Sequence, residues 1–316
     1  MNCGEFVSTD QPLRLLDGAQ LKAPNIIGAF KFTGGVEIGD GLVQMMPYPV
    51  TTITIDKLTG TGEFSIGATD FSWANSGNHH FLDTSEFYGT ITCVQPRWGA
   101  TQWGDLDPAT GLPKYYQNIY IHNNALGGRL ETFDYKALRV GTWTHLWVPG
   151  GANAEAALTN GVNRGLMVDG YVYAYVEPKK RMRIDWPITM NGVLIKDSGG
   201  TLALGGDRTL FGPEGAELPQ AALTNDFQIR YGTLELCSAN AVNGMTMSVS
   251  NGVSIKVVYD ADDADMLSYG VRTDKTAEPF VLAEELNGKL PISFDFRYIS
   301  TPARIIISMK RDAKKR

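Results

Sequence analysis

Four histidines, His79, His80, His122 and His145, are the residues best suited to bind a transition metal or move a proton near neutral pH. They show no HExxH pairing and no cysteine at ligand spacing, so no zinc centre is expected from them. His79-His80 directly follows Ser76-Gly77-Asn78 and reads as part of a turn. Carboxylates gather at two places. The segment Asp105-Leu106-Asp107-Pro108-Ala109-Thr110-Gly111 is similar to an acidic calcium loop. However, Ala109 stands at its third ligand position, Gly111 is displaced by one, and Tyr116 stands where a closing Glu is needed. It reads as a solvated turn. Asp260, Asp262, Asp263 and Asp265 could hold Ca²⁺ through hard oxygens if a turn gathered them, but an exposed acidic loop is the simpler reading.

Nucleophilic and phosphate chemistry lack their signatures: there is no GxSxG elbow, no phosphate loop ending in GK[ST] and no GxGxxG. The internal basic run Lys179-Lys180-Arg181, with Arg183, reads as a solvated turn before Trp186. Cys3, Cys93 and Cys237 are odd in number and form no CxxC pair, so they indicate neither a disulfide framework nor a metal site. No catalytic residue, no metal ligand and no cofactor is expected, and the chain is not expected to be an enzyme. The residues that could contact a ligand are aromatic. Trp98, Trp103, Tyr115, Tyr116 and Trp143 crowd the stretch 95–150, where flat amphipathic rings could stack on sugars or could cover a core flank.

The chain is long enough to bury a core unaided, at 316 residues with 43% hydrophobic and 20% charged residues. With 28 Lys+Arg against 34 Asp+Glu the net charge is −6, so no global basic field attracts phosphates and nucleic acid is not an expected partner. Apolar runs are too short for a membrane-spanning helix, so no membrane insertion is expected. The opening residues carry Glu5, Asp10, Arg14 and Asp17 where a secretory leader would be apolar, and no signal peptide is expected in this chain.

Helical periodicity is scarce, and the two best stretches, 153–158 and 262–267, are short. Alternating segments bounded by Gly or by Asn-Gly, at 160, 191, 243, 251 and 287, recur instead. Many share one formula, a Gly followed by alternating polar and aliphatic residues: Gly35-Val36-Glu37-Ile38, Gly62-Glu63-Phe64-Ser65-Ile66, Gly89-Thr90-Ile91-Thr92, Gly200-Thr201-Leu202-Ala203-Leu204, Gly232-Thr233-Leu234-Glu235-Leu236 and Gly252-Val253-Ser254-Ile255-Lys256-Val257. Their spacing is that of solenoid rungs, whose apolar faces are buried only by stacking. Leu202, Leu204, Leu234, Leu236, Ile255 and Val257 then face one core, and Thr201, Ala203, Thr233, Glu235 and Lys256 face water. An antiparallel sandwich or barrel also alternates, but its strands follow at shorter intervals.

The stretch 199–257 resembles the passenger-associated transport repeats of autotransporter-type β-helix proteins, with their paired GTL-x-L strands. Phe87-Tyr88-Gly89-Thr90-Ile91-Thr92 and Trp186-Pro187-Ile188-Thr189-Met190-Asn191-Gly192 are similar to further pieces of the same pattern. The resemblance implies an all-β, single-chain parallel β-helix (β-solenoid) with an irregular insertion. On this reading 1–50 is an N-terminal cap region, 51–290 the parallel β-helix with its aromatic-rich insertion at about 95–150, and 291–316 the C-terminal strands and basic tail. It also implies a structural or adhesive protein, surface-displayed or secreted at a bacterial outer surface, with a glycan or a host or cell surface as partner. The alternative is a β-helix polysaccharide lyase or glycoside hydrolase acting on a cell-wall or plant glycan.

Overall fold

The computed structural model describes residues 6–8, 10–22, 28–46, 51–67, 77–93, 116–122, 126–159, 163–205, 226–237, 241, 246–250, 253–257, 267–272, 292–296 and 304–307. Among these residues there is no helix, and every strand pairing is parallel. Three sheets account for all the strands. The first runs in chain order from Phe6–Ser8 through Ala29–Phe32, Thr51–Gly60, Gly77–Phe87, Gln117–Ile121, Thr144–Trp147, Tyr171–Tyr175, Val193–Asp197, Asp226–Ile229, Thr246–Val249 and Leu267–Arg272 to Ile292–Phe296. Leu13–Leu15 and Val36–Ile38 join it beside the far half of Thr51–Gly60. The second runs from Gln20–Lys22 through Leu42–Met46, Glu63–Ile66, Thr90–Cys93, Asp134–Gly141 and Arg164–Asp169 to Ile188–Met190. The third runs from Glu155–Leu158 through Arg181–Ile184, Thr201–Leu204, Thr233–Leu236 and Ser254–Val257 to Arg304–Ile307.

From Thr51 to Trp147 the strands alternate between the first and second sheets, from Glu155 to Leu204 they cycle through the third, second and first, and beyond that they fall in the first and third. Over this range each strand after the first of its sheet lies beside an earlier one. Parallel pairing is the opposite of what an antiparallel sandwich or barrel requires. It starts at Phe6–Ser8, inside the stretch 1–50, and Gln117–Ile121, Asp134–Gly141 and Thr144–Trp147 place three paired strands inside 95–150. The stretch 153–158 forms the strand Glu155–Leu158. In a parallel sheet each residue sits beside its register partner, so one side chain type can repeat up a ladder. The inward ladder Leu202, Leu234 and Ile255 and its neighbours Leu204 and Leu236 are buried as the alternation predicts, and Val257 pairs with Leu236. These inward residues join one continuous hydrophobic cluster with Ile53, Phe64, Phe81, Ile119, Leu146 and Leu194.

Three details correct the sequence reading. Gly35 and Gly62 are not equivalent positions of adjacent rungs: Val36 pairs with Leu58, in the first sheet, whereas Glu63 belongs to the second. The true repeat is Glu63 against Thr90, and there a Cβ on Gly89 would lie 1.9 Å from the Gly62 carbonyl oxygen. The recurring glycine thus marks a corner where successive backbones pile onto each other. Asn191-Gly192 separates two strands without positive φ at either residue; a Cβ on Gly192 would meet the Gly170 backbone at 2.3 Å. The other four Asn-Gly pairs lie outside the described residues. Ala203 faces outward but is fully buried, because it lies in register between Arg183 and Glu235 and their long side chains roof it.

Two buried cations close the corners. Arg164 donates to the carbonyl oxygens of Phe87 at 2.7 Å, Gly89 at 3.1 Å and Gly128 at 2.5 Å. Lys196 donates to those of Asp197 at 3.0 Å, Ser198 at 2.6 Å and Tyr231 at 3.0 Å. Burial pulls the Arg164 guanidinium down to about 10 and the Lys196 ammonium down to about 8, so both stay largely charged at neutral pH. Turn carbonyls that have lost water are satisfied this way.

Candidate functional site

The outer face of the first sheet carries the densest chemistry among the described residues. Four consecutive strands there share an alternation in which aromatic or amide residues point outward and, apart from the buried His79, aliphatic residues point inward: Asn78-His79-His80, Asn118-Ile119-Tyr120-Ile121-His122, His145-Leu146-Trp147 and Tyr171-Val172-Tyr173-Ala174-Tyr175. Register places His80, Tyr120, Trp147 and Tyr175 in one row and Asn78, Asn118, His145 and Tyr173 in the next. Because adjacent strands are about 4.8 Å apart, the rings lie against one another like a pile of plates. His80 and Tyr120 stack at 4.0 Å between centroids and Tyr120 and Trp147 at 5.8 Å, and Trp147 meets Tyr175 at 4.3 Å with the rings tilted by 33°. Tyr116 lies 3.9 Å from His145, which meets Tyr173 edge-on at 4.9 Å.

Hydrogen bonds hold the rows in place. Trp147 Nε1 donates to Asn118 Oδ1 at 3.0 Å, and Asn118 Nδ2 donates to Asn78 Oδ1 at 2.9 Å. His80 Nδ1 and His122 Nε2 share a hydrogen bond of 3.1 Å. Arg230 sits over the Tyr173 ring at 5.8 Å. Stacking covers the imidazoles and disfavours their charged forms. Burial holds His145 down to about 3, burial and then the neighbouring His122 hold His80 down to about 4, and burial also lowers His122. The whole face is neutral at its histidines at pH 7.

Of the sequence-selected aromatics, Tyr116 and Trp143 are on this face, whereas Trp98, Trp103 and Tyr115 lie outside the described residues, as do Asp105, Asp107 and the acids at 260–265. Trp143 stacks on Tyr171 at 6.2 Å, at the rim of the face, and Tyr171 is 49% exposed. Trp143 has φ 65, the left-handed region that a bulky side chain avoids. The residues not assigned to a site from sequence are Tyr120, Trp147, Tyr171, Tyr173 and Tyr175, with His80 and His145, which sequence singled out only as imidazoles. Their signal was the alternation itself, overlooked because these strands lack the leading Gly-Thr.

His79-His80 is not a turn. Both lie in the strand Gly77–Phe87, so one points in and the other out. His79 is fully buried, its Nε2 2.6 Å from Gln117 Oε1 and its Nδ1 without a partner, and burial holds it down to about 4. Nor are Arg181 and Arg183 in a turn: they lie on the strand Arg181–Ile184 and face outward. On that third-sheet face Arg181 bonds Glu235 at 3.0 Å, Lys256 bonds the same carboxylate at 3.2 Å, and Arg183 bonds Asp185 at 2.8 Å.

Among the described residues no group of three or more His, Cys, Asp or Glu is placed to hold a metal, and no helix is long and apolar enough to cross a membrane. Comparison with protein-family models, with curated proteins and with solved structures finds no match to this chain.

Proposed function

We propose that the three sheets are the walls of one parallel β-helix, and that this coil is a non-enzymatic structural or adhesive scaffold whose aromatic face meets a glycan or a cell surface. The chain-order addition of parallel strands to three sheets supports the coil, and the resemblance to autotransporter-type passenger repeats supports an extracellular or outer-surface setting. The observation that carries the contact reading is the Trp143–Tyr171 pair. The rings of the central row spend their faces on one another, so a sugar could reach only their edges. At the rim the half-exposed Tyr171 remains accessible, beside an indole kept in a strained backbone conformation. The turn is locked by backbone hydrogen bonds to both neighbouring strands, Trp143 N–H to the Tyr171 carbonyl at 2.9 Å and Gln117 N–H to the Trp143 carbonyl at 3.1 Å, so a bulky ring stands where glycine would fit and is held beside Tyr171.

The lyase or hydrolase alternative requires a free carboxylate pair or a carboxylate-bound cation on a flank. On the third-sheet face Glu235 and Asp185 are instead neutralised by arginines and a lysine, which weighs against that face as a catalytic one.

Glycan-array and cell-adhesion binding of the full chain, with Trp143→Gly and Tyr171→Ala variants, tests the proposal. Glycine relieves the φ at 143, so Trp143→Gly is expected to lose binding with no fall in thermal midpoint. Binding that survives both substitutions, or no binding by the unmodified chain, rejects this face as the contact.

A further inference from the structure

We propose that His80 and His122 form an open bis-imidazole site for a borderline divalent transition metal, Cu(II) above all, at the edge of the aromatic face. The inference does not rest on the glycan reading. His80 stands in the strand Gly77–Phe87, and His122 directly follows Gln117–Ile121, diagonally across the ladder because Tyr120 is the register partner of His80. Both point outward, and both are partly exposed. Their facing nitrogens, His80 Nδ1 and His122 Nε2, are 3.1 Å apart. Two imidazole nitrogens each about 2.0–2.1 Å from a metal and separated by that distance subtend about 95–100° at it, the angle of neighbouring ligands in square-planar or octahedral coordination.

The metal replaces the imidazole–imidazole hydrogen bond: with the ring centroids 5.4 Å apart the two nitrogens face each other head-on, so the rings turn to aim both lone pairs at one ion. Each neutral imidazole keeps one proton, on Nε2 of His80 and on Nδ1 of His122, so the tautomers rearrange and no proton is released. The Tyr120 ring stacked on His80 at 4.0 Å limits how far that imidazole turns, so His122, just past the end of its strand, makes most of the adjustment. Imidazole suits Cu, Ni and Zn, and the affinity order places Cu(II) first. No third His, Cys, Asp or Glu joins the pair among the described residues, so water fills the remaining positions and the ion stays exchangeable.

The test is Cu(II) titration of the full folded chain at neutral pH after its accessible thiols are alkylated with iodoacetamide, Cys93 being buried out of reach, followed by calorimetry and by electron paramagnetic resonance. One ion per chain is expected, with superhyperfine structure from two imidazole nitrogens. His80→Gln and His122→Gln are each expected to weaken binding by at least about tenfold, the size of effect that the loss of outer-shell partners alone can produce. His122 lies past the end of its strand, so its substitution is expected to leave the circular dichroism and thermal midpoint unchanged. The spectrum of the unmodified sequence needs no variant at all. Copper bound equally well by both variants, a spectrum without two coordinated imidazoles, or no copper bound at neutral pH overturns the site.

Discussion

The outer faces of the first and third sheets solve the same geometric problem in two ways. Parallel in-register pairing puts a side chain beside its counterpart on the next strand, so whatever faces outward is repeated at about 4.8 Å. On the first sheet the repeat is aromatic, and His80, Tyr120, Trp147 and Tyr175 gain from it because flat rings stack. On the third sheet the residues are ionic, and like charges side by side would repel. There the row reads Ala157, Arg183, Ala203, Glu235, Lys256, and Arg181 reaches across the intervening strand to Glu235. One face is held by ring contacts and is indifferent to salt. The other depends on alternating signs and weakens as salt rises.

Removing what the two faces share should cost most. Leu234 is buried beneath the ionic face, between Leu202 and Ile255, and Leu234→Ala is expected to cost about 2–5 kcal/mol in the urea midpoint analysis. A cost no larger than that of an exposed substitution would mean that the inward register is wrong.

Acid should separate the faces next. His79, under the aromatic face, is held at about 4 while its unfolded value is about 6.5, so the unfolded chain takes up the proton first. The stability that neutral His79 contributes is complete above the unfolded value and is lost as pH falls from about 6.5 to about 4, a loss of order 3 kcal/mol if the buried ring stays dry. The urea midpoint should fall over that window, and less steeply in His79→Gln. An equal slope in both proteins removes His79 from the account.

Trp147→Ala breaks the aromatic row at its centre, where the indole meets Tyr120 and Tyr175 and bonds Asn118. A loss of about 1–3 kcal/mol, unchanged by added salt, is expected from area and stacking together. Glu235→Ala on the third sheet should cost least, about 1 kcal/mol, because a part-buried carboxylate with two cationic partners exceeds the usual surface pair only modestly. That cost should shrink in high salt. If salt weakens the Trp147 effect and spares the Glu235 one, the contrast between the faces is reversed.

The third-sheet region was the more legible in sequence, for a physical reason. Its corners need glycine and its outward positions tolerate Thr, Ala, Glu and Lys, so Gly200-Thr201-Leu202 and Gly232-Thr233-Leu234 repeat visibly and their inward leucines are assigned from alternation alone. The aromatic face repeats just as regularly in space, but its strands begin with Gln117, Thr144 and Tyr171 rather than Gly-Thr, so the same alternation looked like an interruption. The roofing of Ala203 and the corner roles of Arg164 and Lys196 depend on neighbours two or more strands distant in the chain, which a local pattern does not contain. The pairing of His80 with His122 is illegible for the same reason: its residues are 42 apart, and a diagonal register alone unites them.

In-register parallel stacking is the claim on which both faces and the proposed coil depend, and disulfide trapping tests it most directly. Thr201, Thr233 and Ser254 are half-buried outward residues at one register position of three successive third-sheet strands. Adjacent in-register Cα atoms, about 4.8 Å apart, fall within the span a disulfide accepts, and positions two strands apart do not. With the three native cysteines replaced by alanine, the Thr201→Cys/Thr233→Cys and Thr233→Cys/Ser254→Cys pairs should crosslink under mild oxidation. The Thr201→Cys/Ser254→Cys pair should stay reduced. Ready crosslinking of that third pair, or failure of both adjacent pairs in folded protein, contradicts the stacking order of the three strands.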